Sequence, residues 1–85
     1  MINRKLLQRL LSGRSDANIR FRELRNLLLS LGFKERTQGS HHIYVKEGVE
    51  DMINLQREGS KAKPYQVRQV RRVLVRYGLG DIEDA

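Results

Sequence analysis

The sequence predicts an α+β fold of helix, three antiparallel strands and helix, with an extra helix in front. Three observations carry this. Apolar residues recur at helical spacing over 19–31 and again over 64–77; the stretch between them is β-prone and punctuated by glycine-bearing turns; and Pro64 stands where a helix's first turn tolerates a missing N–H. Two such helices can cover one face of a three-stranded sheet and leave the other open, and the open face is the natural place for a ligand.

Residues 1–12 carry Ile2, Leu6, Leu7, Leu10 and Leu11 at helical spacing, with Arg4, Lys5, Gln8 and Arg9 between them, which predicts a short amphipathic helix. The turn-forming run 13–18 then unwinds into a connector, so that 1–18 stands as an appendage to the main body. From Ile19 a stronger helix follows, with Phe21, Leu24, Leu27, Leu28 and Leu31 on one stripe and Arg22, Asn26 and Ser30 opposite. Gly32 ends it and Phe33 folds back on it. Leu29 falls outside the stripe, either beneath the first helix or open to a partner. A charged strand over 33–37, a turn at Gln38-Gly39 and a second strand over 40–46 come next. Alternation sets His41, Ile43 and Val45 on one face of that strand and His42 and Tyr44 on the other. A turn over 47–50 leads to a third strand over 52–56. Residues 57–63 read as a polar loop. The last helix buries Val67, Val70, Val73, Leu74 and Tyr77, presents Arg68, Arg72 and Arg76 outward with Arg71 at the border, and closes on Gly78 and Leu79. The acidic tail 81–85 is expected to fray.

Eighty-five residues at 39% hydrophobic content suit one small domain with a modest core. A formal charge of +7 favours a polyanionic partner, because each Lys or Arg set against a phosphate releases counterions. Nucleic acid leads. No apolar run approaches the roughly eighteen residues of a spanning helix, and there is no lipidation motif or secretory signal. The absence of cysteine removes disulfide frameworks and thiolate zinc sites and is compatible with a reducing compartment. The expectation is a soluble, cytoplasmic domain without membrane attachment.

Any catalysis falls to the two histidines, both in the run Gly39-Ser40-His41-His42-Ile43-Tyr44. Imidazole accepts and donates a proton near neutrality, as RNA cleavage by internal attack requires at the 2′-OH or the leaving 5′-oxygen. Lys61, Lys63 or a strand arginine such as Arg36 can stabilise charge on the phosphate. Against this, two strand histidines are ordinarily satisfied by backbone or solvent. A zinc site is disfavoured because neighbouring strand residues diverge and no third ligand has a recognisable spacing. Ser40 beside His41 lacks the third, orienting group of a nucleophilic triad. The loop Lys61-Ala62-Lys63-Pro64 sets two lysines at a helix N-terminus, which favours phosphate, although a solvated loop would look the same. The arginine face of the last helix, Arg68 included, reads as solvation except that Arg68, Arg71, Arg72 and Arg76 have no acidic residue among them. Of the tyrosines, Tyr77 lies on the core stripe and Tyr44 suits core better than a base-stacking platform.

Gly39-Ser40-His41-His42-Ile43-Tyr44, after a helix ending Leu31-Gly32-Phe33 and before Gly59-Ser60-Lys61-Ala62-Lys63-Pro64 and a helix ending Tyr77-Gly78-Leu79, resembles the HicA toxins of type II toxin–antitoxin modules. The resemblance covers about 19–80. It implies a double-stranded-RNA-binding-domain-like fold, endoribonuclease cleavage of messenger RNA without a metal cofactor, and a HicB-like antitoxin partner that covers the active site. The family's catalytic histidine follows the glycine-serine pair and maps to His41; Gly39, Ser40 and Tyr44 match as structural positions around it, and no role is carried to His42. The expected function is therefore a ribonuclease toxin with Lys61, Lys63, Arg68 and Arg36 on RNA phosphates. The alternatives are a non-catalytic RNA-binding module using the same surface and a domain whose main role lies in a protein complex.

Overall fold

The structure, a computed structural model, describes residues 2–80; the acidic tail lies outside the described residues. The chain forms α1 (Arg4–Ser12), a single 3-10 turn (Asp16–Asn18), α2 (Phe21–Ser30), β1 (Lys34–Gln38), β2 (His41–Lys46), β3 (Val49–Leu55), a two-residue pair β4 (Arg57–Glu58) and β5 (Lys61–Ala62), and α3 (Pro64–Arg76). The expected order of helix, three strands and helix is present, and the three strands make an antiparallel sheet in the order β1-β2-β3. The described residues form a small α+β fold with three α-helices.

α1 begins because the Asn3 side chain accepts a hydrogen bond from the Leu6 N–H at 3.0 Å, and it stops at Gly13, whose φ of 72° suits glycine. The helix expected as an appendage is packed into the body. Leu6, Leu7 and Leu10 are buried in the same core as Leu24, Leu28, Val70 and Leu74. Leu29 is half-buried against that core. The connector is held too. Asp16 accepts two hydrogen bonds from the Arg71 guanidinium, at 2.8 and 3.0 Å, and Arg71 also donates to the Leu10 carbonyl at 3.1 Å, near the end of α1. A bidentate arginine thus ties α1, the connector and α3 together.

α2 starts at Phe21 rather than Ile19. Ile19 and Arg20 are extended, and the stretch expected as a loop over 57–63 folds into the β4/β5 hairpin that docks on them: Ala62 N–H donates to the Ile19 carbonyl at 2.9 Å, and Phe21 N–H to the Ser60 carbonyl at 3.0 Å. The second of these satisfies a donor that the first turn of α2 leaves free. The strand boundaries differ as well. β1 runs through Gln38, so the first turn is Gly39-Ser40, with positive φ at Gly39 alone, the pattern of a two-residue II′ hairpin. β3 starts at Val49 because the second turn is only Glu47-Gly48, and a register shift between Tyr44 and Lys46 absorbs the extra residues.

Tyr44, Ile53 and Leu55 on one sheet face meet Phe21, Leu24, Val67 and Val70 of the helices in the core. α3 lies along the outer edge of β3. Gln66 Oε1 accepts from the Gln56 N–H at 2.6 Å, the Tyr77 hydroxyl accepts from the Glu50 N–H at 3.3 Å, and the Gln69 amide donates to the Met52 carbonyl at 3.4 Å. Those side chains occupy backbone groups that an edge strand would otherwise offer to another chain.

Candidate active site on the open sheet face

Strand alternation divides β2 as expected. His42 and Tyr44 turn toward the core, and His41, Ile43 and Val45 toward the uncovered face. The register then decides His41's neighbours. Gln38 pairs with it from β1, Arg36 lies opposite Ile43, and on β3 Asn54 lies opposite Ile43. Directly paired residues in an antiparallel ladder point to the same face, so Arg36 and Asn54 share His41's side.

The imidazole is held between two amides. Nδ1 lies 3.3 Å from Asn54 Oδ1 and 3.1 Å from Asn54 Nδ2, while Nε2 lies 3.4 Å from Gln56 Nε2. Gln56 in turn accepts from Lys63 Nζ on its Oε1 at 3.4 Å. These contacts are long and exposed. Asn54 and Gln56 were not singled out in the sequence. The signal was there: in Met52-Ile53-Asn54-Leu55-Gln56 they are the polar alternates of a strand antiparallel to the one bearing His41.

The remaining expected residues divide. Lys63 reaches the His41 cluster because it is the N-cap of α3, beside the end of β3. Lys61 instead donates to Asn18 Oδ1 at 3.1 Å, on the connector. Arg36 is exposed on the histidine's face. Arg68 is exposed on α3, close enough to Asp16 to bear on its charge: the Asp16 carboxyl is held below its usual range first by the Arg71 hydrogen bond, against its own burial, with Arg68 contributing least. Of the arginines that lack acidic neighbours in sequence, two find them in space, Arg71 with Asp16 and Arg76 with Asp51 at 3.3 Å. Gly39 and Ser40 form the turn that leads into His41, both exposed.

On the core side a second cluster forms beneath the sheet. Glu35 Oε2 accepts from Arg25 Nε at 2.9 Å and from the Tyr44 hydroxyl at 2.6 Å. The Arg25 hydrogen bond first, and then Tyr44's, hold the Glu35 carboxyl below its usual range against the opposing effect of burial. Burial first, and that same bond, push the Tyr44 phenol well above its ordinary value. Tyr44 is fully buried and so cannot stack on a base. His42 packs edge-on to Phe21 with ring centroids 4.7 Å apart, and its Nδ1 lies 3.4 Å from Glu35 Oε2 without hydrogen-bond geometry. The two histidines thus have separate environments, one wet and one packed.

Among the described residues, no three His, Asp or Glu side chains are grouped to hold a metal ion, and no helix is long and apolar enough to cross a membrane. A groove of about 550 Å³ runs between β3 and α3, lined by Asp51, Met52, Gln69, Arg72, Val73 and Arg76, and His41 is not part of its lining. His41 stands exposed on the sheet face, a setting that an extended polymer can reach. No protein-family model, curated protein or solved structure matches the chain.

Proposed function

We propose that this chain is an endoribonuclease of the HicA kind, the toxin of a type II toxin–antitoxin module, with His41 as its general acid or base. One observation carries the reading: His41 stands on the uncovered face of the sheet, its ring nitrogens met by neutral amides, with Lys63 one amide away and Arg36 on the same face. His42, by contrast, is packed against Phe21 beneath the sheet.

On this reading the RNA backbone lies across the open face, held mainly through phosphates, with little reading of base edges. His41 takes the 2′-OH proton as the 2′-oxygen attacks the adjacent phosphorus. The P–O5′ bond breaks, leaving a 2′,3′-cyclic phosphate and a 5′-oxygen that is protonated from solvent. Lys63 stabilises the charge that builds on the phosphate oxygens. A single positioned base supplies about 10²–10⁴-fold in rate. No second acid or base accompanies His41 in the described cluster, so cleavage is slow and weakly selective. The chemistry runs through imidazole and needs no metal. A positively charged active face also suits an acidic antitoxin of the HicB kind, which would silence the protein by covering it.

The rival is an RNA-binding module that holds the same backbone without cutting, favoured by the lack of a second catalytic group. Salt dependence of RNA affinity is common to both readings; product formation separates them. Incubating the protein with a long unstructured RNA in chelator, beside His41→Ala, should give cleavage by the wild type alone and RNA binding by both. Equal cleavage by the variant would refute the role of His41. Steeply salt-dependent binding with intact RNA in both samples would establish the binding module instead.

A further inference from the structure

We propose that Gln56, oriented by Lys63, is a positioning residue that holds His41 in the Nδ1–H tautomer and leaves Nε2 as its basic nitrogen. The catalytic consequence rests on the nuclease reading; the tautomer itself does not.

The argument starts from the one group in the network whose hydrogen-bonding role has no alternative. An ammonium donates and cannot accept, so the Gln56 atom facing Lys63 Nζ at 3.4 Å is the carbonyl oxygen Oε1. The amide is planar, and its other end, the NH₂, is therefore the group that meets His41 Nε2 at 3.4 Å. An NH₂ can only donate there, and Nε2 must accept. A neutral imidazole that accepts at Nε2 carries its proton at Nδ1. That proton faces Asn54, whose Oδ1 lies 3.3 Å away and can take it. Asn54 by itself selects nothing, because its Nδ2 lies at 3.1 Å from the same nitrogen and would serve the opposite tautomer equally well. The choice is made at the lysine end.

The consequence for the reaction is direct. The Gln56 NH₂ donates to the lone pair that a 2′-OH would donate to, so in the resting site it stands in for the substrate hydroxyl. RNA binding exchanges one donor for another at Nε2 without a change of tautomer. Lys63 then has two tasks, on the phosphate and on the base.

Neutral tautomers are distinguishable by long-range ¹H–¹⁵N correlation of the imidazole, measured at about pH 8, above the reference imidazole pKa. The His41 signals are assigned by their loss in His41→Ala. The wild type should show Nδ1–H. Gln56→Glu replaces the donor by an acceptor of the same shape and should move the proton to Nε2; Lys63→Met frees the amide to rotate and should give a mixture; Lys63→Arg retains a donor-only cation and should restore the wild-type pattern. Gln56→Glu should also slow RNA cleavage by roughly 10²-fold or more, toward the ~10⁴-fold that a wrong tautomer costs a catalytic histidine. A wild-type Nε2–H signal, or one unmoved by Gln56→Glu, would overturn the relay even if the wild type cuts RNA. The expected tautomer pattern without wild-type cleavage would uphold the relay and remove the nuclease reading.

Discussion

Glu35 is a carboxylate on the inward side of an edge strand, where burial alone would disfavour its charge. Arg25, one turn after Phe21 on α2, and Tyr44 across the strand pair make the charge tolerable. Because its pKa is lowered from the ordinary 4.5, the carboxylate contributes stability that is complete above that value. That stability is lost as pH falls through the lowered, folded value. Glu35→Gln should therefore destabilise the protein near neutral pH by about 1 kcal/mol, after discounting for the solvent on the Arg25 side. The deficit should shrink in acid, and urea unfolding of both proteins at about pH 7 and pH 3 reads it. A deficit that stays constant with pH would mean that Glu35 acts by shape and not by charge. His41 and His42 mark the limit of reading at this scale. Alternation placed them on opposite faces, but which face was wet depended on where the helices docked.

Among the elements, the β1–β2 hairpin sets His41's position through its turn. Gly39 has φ 59°, and a Cβ built there meets nothing within 4 Å. Gly39→Ala thus has no clash to relieve and only the strain of a positive φ to bear, a cost of about 1–3 kcal/mol. Thermal unfolding should show that loss, and amide exchange at His41 should quicken as the hairpin end loosens. A neutral substitution would indicate that the turn has changed type. Helix positions were legible because each has a clear apolar stripe and a glycine or proline at an end. The small β4/β5 hairpin was not. Its strands are two residues long and, Ala62 apart, charged, and they exist because Ile19 and Arg20 offer them a backbone edge, which is a contact distant in sequence.

For the molecule as a whole, the test of unity is α1. Leu10 is fully buried among residues of α2 and α3. Leu10→Ala should cost about 2–5 kcal/mol of global stability in denaturant unfolding, with the transition still a single step. A small effect, or a separate early transition, would restore the appendage expected from the turn-rich connector. Composition and period were enough to determine the class of fold, the helix faces, the strand alternation and the strongly basic charge, because each follows from spacing along the chain or from a sum over it. The tertiary structure decided everything that depends on residues far apart: the docking of α1, the pairing of Arg71 with Asp16 and Arg76 with Asp51, and the separation of Lys61 from Lys63. It also decided the setting of His41 between Asn54 and Gln56. Local sequence specifies which way a side chain points from its own backbone; what it points at is set by how the elements pack, and a histidine's chemistry depends on both.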